Sequence, residues 1–164
     1  GLLRRPGRGL YELADSEPDP NQSLIEICTR APQGVICLLS ALRFHEIGTQ
    51  LPHQLWLAIP GKANRPRGDY QAIEIIRLTG RMYHLGIEQH TTPAGAFRVY
   101  SIAKTVVDCF RFRNKIGLDV ALEALREVVL HQRRYKVTVS DLYELARQCR
   151  IASVMIPYME ALIG

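Results

Sequence analysis

No stretch of this sequence approaches the roughly 18 consecutive apolar residues that a membrane-spanning helix needs, and its N-terminus has no long apolar segment of the secretory-signal kind. The expectation is therefore a cytoplasmic protein with no membrane partner. The four cysteines, at 28, 37, 109 and 149, form no C-x-x-C pair. The closely paired ligands of a zinc site are missing, which leaves buried, reduced thiols that pack as small hydrophobes. The histidines at 45, 53, 84, 90 and 131 fall in no H-E-x-x-H or similar pattern. A G-x-S-x-G elbow, a P-loop and a G-x-G-x-x-G fingerprint are absent too, and Gly7-Arg8-Gly9 reads as a turn rather than a phosphate cradle. No metal or cofactor is expected, and no internal repeat stands out.

What is present is one globular core's worth of chain: 164 residues, 47% hydrophobic and 23% charged. A net charge of +5 favours polyanionic partners, nucleic acid first. The polar, proline-containing stretch 15–21 is the natural boundary. It divides a short N-terminal piece, 1–20, from a main domain, 21–164.

The first piece holds two short apolar runs around Pro6-Gly7-Arg8-Gly9, the pattern of a β-hairpin. A lone hairpin is marginally stable in water, so the expectation is that a preceding module is cut short at Gly1. In the main domain Ser23 and Glu26 match a capping box that opens a helix to about Arg30. The run Val35–Ile47 is apolar on nearly every side and reads as one core helix. Short β-rich runs follow at 54–59, 72–78, 87–91 and 97–100, predicting a four-stranded, largely antiparallel sheet. From Ser101, a plausible N-cap, the pattern turns helical. Ile102, Val106, Cys109 and Phe110 share one face, and Leu118, Ala121, Leu122, Leu125, Val128 and Val129 form a second stripe. Thr138 with Asp141 caps a third helix, and a fourth, 152–163, is expected to bend at Pro157. The fold class is α+β with a helical C-terminal part.

Two groups of residues carry candidate chemistry. Arg4, Arg5 and Arg8 stand on or beside the hairpin tip, where guanidinium groups reach phosphates or the minor groove; the plainer reading is a solvated edge hairpin. Lys104, Asp108, Arg111, Arg113, Asn114, Lys115 and Asp119 form the densest polar group of the helical part. Lys104 and Asp108, four apart, can pair. Lys104, Arg111 and Lys115 are spaced to share a face as a basic functional surface, or the whole group is a structural corner held by ion pairs. The basic runs 62–67 and 131–136 read as solvated loops, with Tyr135 available for base stacking. A metal-dependent nuclease would need acids converging with a lysine on neighbouring strands. Asp69, Glu74 and Glu88 are on offer, but no PD…(D/E)-x-K arrangement exists. A non-enzymatic role is the expectation.

The run Gly1–Tyr11 is similar to the wing that closes the winged helix of AbiEi-like antitoxins, from bacterial type IV toxin–antitoxin and phage-defence operons. The likeness continues, in the same order, through Gly34–His45, Val99–Asp108 and Arg113–Leu122. Ile102 stands where that family's motif commonly has proline. The resemblance implies an antitoxin that represses its own operon by binding double-stranded DNA. It also implies antagonism of a nucleotidyltransferase-like toxin without a stable complex. The alternatives are a nuclease-like domain of a defence system and a protein-interaction module.

Overall fold

A computed structural model describes residues 21–66 and 73–164, so the hairpin expected at 1–13, with Arg4, Arg5 and Arg8, lies outside the described residues. The chain runs α1 (Gln22–Arg30), β1 (Val35–Ile36), α2 (Leu38–Phe44), β2 (Leu55–Pro60), β3 (Ile73–Leu78), α3 (Arg81–His84), β4 (Ile87–Thr92) and β5 (Gly95–Tyr100). It then becomes wholly helical, through α4 (Ile102–Arg111), α5 (Arg113–Ile116), α6 (Leu118–Leu130), α7 (Gln132–Tyr135), α8 (Val139–Gln148) and α9 (Ala152–Ile163). The class is α+β. Among the described residues no helix is long and apolar enough to cross a membrane.

The sheet has five strands in the order β3-β2-β1-β5-β4, not four, and it is mixed. Only β1–β2 and β4–β5 are antiparallel; β2–β3 and β1–β5 run parallel. Two sequence expectations fail here, for separate reasons. The connection 61–72 is long enough for β3 to return parallel to β2, which a tight turn could not do. The run from Val35 is also not one helix: Val35 and Ile36 are a strand, Cys37 stays extended, and the helix begins at Leu38, whose φ is +47°. Val35 and Ile36 are fully buried at the centre of the sheet. A strand covered on both faces shows the same unbroken apolar run as a buried helix. The capping box at Ser23 fails more simply, because α1 starts at Gln22 and places Ser23 inside the first turn.

Side-chain alternation along the strands separates two cores. Val35, Trp56, Ala58, Ile76, Leu78 and Tyr100 join the cluster built by α2, α4, α6, α8 and α9. Ile36, Leu57, Ile59, Phe97 and Val99 join the smaller cluster beneath α1, with Ile25, Ile27, Cys28 and Ala31. The C-terminal helices start as expected. The Ser101 hydroxyl accepts the Lys104 N–H at the head of α4, and Thr138 with Asp141 makes a complete capping box on α8. Pro157 lies within the single helix α9. All four cysteines are buried and free, and burial pushes the Cys28, Cys37, Cys109 and Cys149 thiols above their ordinary range.

One charged side chain organises the α1 side of the sheet. Arg98 on β5 donates Nε to Gly34 O (3.0 Å) and Nη2 to Cys28 O (3.2 Å) and Ala31 O (3.0 Å). A planar guanidinium thus closes the open carbonyls at the end of α1 and fixes the turn into β1. We expect Arg98→Met to lower stability by about 2–3 kcal/mol, and Arg98→Lys to restore only part of it, since an ammonium cannot reproduce the fork. Urea unfolding of the three proteins checks this; equal stability of the lysine variant and the parent would refute the fork.

Candidate functional site

The densest polar group of the helical part is built where β5 hands over to α4. Tyr100 is the last residue of β5 and Ser101 caps α4, so Lys104 and Asp108 follow on one buried face of that helix. Lys104 is completely inaccessible and Asp108 nearly so. Lys104 Nζ donates to Asp108 Oδ2 at 2.8 Å and to the main-chain oxygen of Met82 at 2.7 Å, and it lies 4.0 Å from the centre of the Tyr100 ring. The Tyr100 hydroxyl donates to Tyr83 O at 2.6 Å. One turn further on, Arg111 Nη2 reaches the carbonyl oxygen of Cys149 and, at 3.4 Å, the sulfur of Met82. Asp108 Oδ1 and Arg111 Nε are buried without a hydrogen-bond partner.

Taking an ion pair out of water costs several kcal/mol per charge, so only close pairing and filled donors hold it inside. Here the ammonium's second partner comes from another element. The link between β3 and β4 carries the short helix α3, whose Met82 and Tyr83 carbonyls receive Lys104 and Tyr100. Gly86 closes that link at φ +80°, where its amide oxygen accepts the Ser101 N–H at 2.7 Å. A Cβ there would lie 2.6 Å from Lys104 Cβ, so glycine is required both for the backbone angle and for the close approach to the helix. Burial pushes the Asp108 carboxyl up to about 6 against the opposing pull of Lys104 and Arg111. Burial likewise raises the Tyr100 phenol, assisted by the Asp108 charge, so it stays a neutral donor.

This geometry corrects the expected basic surface. Lys104, Arg111 and Lys115 do not form one exposed face: Lys104 is enclosed, Arg111 is half-buried, and Lys115 is exposed and paired with Glu74 of β3 at 2.9 Å. Helical spacing put three cations within reach of each other but did not reveal which side the core would occupy. The expected Lys104–Asp108 pair does form. Arg113 Nη1 caps Phe110 O at 2.8 Å, while Asn114 and Asp119 are exposed. Tyr135 is buried and not free to stack on a base. Its hydroxyl bonds Glu46 O at 2.9 Å and Glu127, with Arg134 over its ring. Of the loop 62–67, Arg65 Nη2 bonds Ile73 O at 3.3 Å, and Arg67 lies outside the described residues. His45 is partly buried and its Nε2 bonds Tyr100 O at 2.8 Å.

The carboxylates weighed for a nuclease do not converge. Glu74 is on β3 and Glu88 on β4, the two opposite edges of the sheet, which four strand spacings of roughly 4.8 Å keep about 19 Å apart. Asp69 lies outside the described residues. Among the described residues no group of three or more His, Cys, Asp or Glu side chains could hold a metal ion. Sequence reasoning missed Met82, Tyr83 and Gly86 altogether, because their contacts to Lys104, Tyr100 and Ser101 come from main-chain oxygens that no side-chain pattern announces. A search of protein-family models and one of curated proteins each found no match for the chain.

Two measurements test the pair. Lys104→Met strands a buried carboxylate and should cost about 3–5 kcal/mol, whereas Lys104→Met with Asp108→Leu should recover most of that loss. Unfolding free energies that are additive in the double variant would show that the two groups act independently. The second test uses pH. The folded-state value of Asp108 lies above that of the unfolded chain, so its favourable contribution is complete below about 3.8 and is lost as pH rises through about 6. Asp108→Asn does not titrate, so its stability relative to the parent should rise between pH 4 and pH 7, by on the order of 1–3 kcal/mol. A constant difference across that range would be the contrary result.

Proposed function

We propose that this chain belongs to an antitoxin-type transcriptional repressor resembling the AbiEi-like class. In this reading Arg4, Arg5 and Arg8 contact the DNA of the protein's own operon from a wing. Residues 21–164 oppose a nucleotidyltransferase-like toxin without a stable complex. The observation that carries the reading is the meeting of three segments similar to that family, dispersed along the chain, in one core. Cys37, Leu38 and Leu42 of the first, Tyr100, Val106 and Val107 of the second, and Val120 and Ala121 of the third all belong to the larger core cluster, while Ile36, Ala41 and Val99 face the smaller one. The similarity therefore follows a packed unit and not isolated helices. The net charge of +5 supports a polyanionic partner.

The protein should bind DNA from its own promoter more tightly than random duplex of equal length. Affinity should fall with salt at a log–log slope of about −0.9 per phosphate neutralised. Replacing Arg4, Arg5 and Arg8 with alanine should flatten that slope by up to roughly 3 and weaken both duplexes alike, as phosphate contacts do. Fluorescence anisotropy over a salt series reads both effects, and the absence of any preference for the promoter would sink the repressor reading. Co-expression with the toxin encoded beside it should restore growth without the two proteins co-purifying.

A further inference from the structure

The β3–β4 link is fastened in an unusual way. None of the α3 residues is fully buried. Met82, Tyr83 and Leu85 pack on the main core only partly buried, and the link is otherwise tied down by polar bonds: Lys104 Nζ on Met82 O, Tyr100 on Tyr83 O, Arg111 Nη2 on the Met82 sulfur, and the Tyr83 hydroxyl on Gln33 O at 2.7 Å. Both ends are glycines at positive φ, Gly80 at +52° and Gly86 at +80°. A segment whose apolar side chains are only partly buried opens at lower cost than the fully buried core. Opening this one also returns buried charges to water, which offsets part of the bonds lost.

The groups beneath it are a set of donors. Lys104 supplies an ammonium, Tyr100 a neutral phenol, and Arg111 a guanidinium whose Nε has no partner and whose Nη2 is turned partly to a thioether, a weak acceptor. Two cations face one carboxylate, leaving an excess of one positive charge. An ammonium beside a guanidinium edge is the donor set that holds phosphate oxygens. We infer that residues 79–86 are a hinged flap over an oxyanion site, and that a phosphate group replaces the Met82 carbonyl on Lys104, the Met82 sulfur on Arg111 and the Tyr83 carbonyl on Tyr100. Asp108 keeps Lys104 oriented in both states. This does not depend on the repressor reading.

Hydrogen exchange of the full chain, read by mass spectrometry at neutral pH, distinguishes this from binding elsewhere. A ligand that stabilises the closed protein slows exchange, whereas one that takes the flap's place speeds it. Inorganic phosphate, titrated to about 10 mM, should therefore accelerate the amides of 82–85 saturably, with no such effect from chloride at equal ionic strength. Glycerol phosphate in parallel tells a free phosphate site from a phosphate-ester site by which saturates first, and saturation by either supports the inference. Arg111→Lys keeps the charge but loses the fork, and should weaken the response about tenfold or more. Tyr83→Phe removes only the tether to Gln33. It should speed flap exchange and tighten apparent phosphate affinity by the same factor, since apparent affinity scales with the open fraction. The inference is overturned by a response that is absent or equal for chloride, by an undiminished response in Arg111→Lys, or by faster exchange in Tyr83→Phe without tighter binding.

Discussion

The contact between Lys104 and Asp108 is the constraint around which the larger core is arranged. In an ion pair with side chains 0% and 2% exposed the ammonium needs further partners nearby, although Asp108 Oδ1 is left without one. Three elements meet that need together. Helix α4 supplies the pair, the end of β5 supplies the Tyr100 ring beneath the ammonium, and the β3–β4 link supplies the Met82 carbonyl. Moving any one of them strands a charge. The pair thereby fixes the angle at which the helical part leaves the sheet.

The same logic recurs at several places where the backbone ends a regular element. Arg98 gathers three carbonyls at the close of α1. On the opposite side of the molecule Glu123 and Glu127 of α6 receive the N–H groups of Thr49 and Gly48, and Tyr135 secures Glu46 O in the same bend. Ser40 accepts the Trp56 N–H, tying α2 to β2. Open main-chain groups inside a protein must be paired, and here charged and hydroxyl side chains from distant elements do the pairing. This commits several cations to structural partners, with Lys104 inside the core and Arg65, Arg77 and Lys115 at the surface. Arg65, Arg77, Arg98, Arg111, Lys104 and Lys115 all have structural partners, so a net positive sequence does not translate directly into a basic face.

That structural use explains where sequence reading succeeded and where it failed at the site. The Lys104–Asp108 pair was legible because helical spacing alone places the two side chains together. Its burial was not, since periodicity locates a stripe without saying what covers the opposite side. Arg98 left one trace, a single charge inside the apolar run 97–100, which demands a partner if the strand is internal. Gly86 left none, because its role is the absence of a Cβ against Lys104.

By itself the sequence determined the α+β class, the four longer strands, the capped starts of α4 and α8, and the reduced, buried cysteines. Each follows from local chemistry: alternation, caps that bond their own helix, and cysteines without the close pairing of metal ligands. Tertiary structure decided the central strand β1, the parallel pairings, and the closing of the β3–β4 link over the charged pair. Those depend on which surfaces meet across the chain, and a two-residue strand or a glycine contact acquires meaning only from what packs against it.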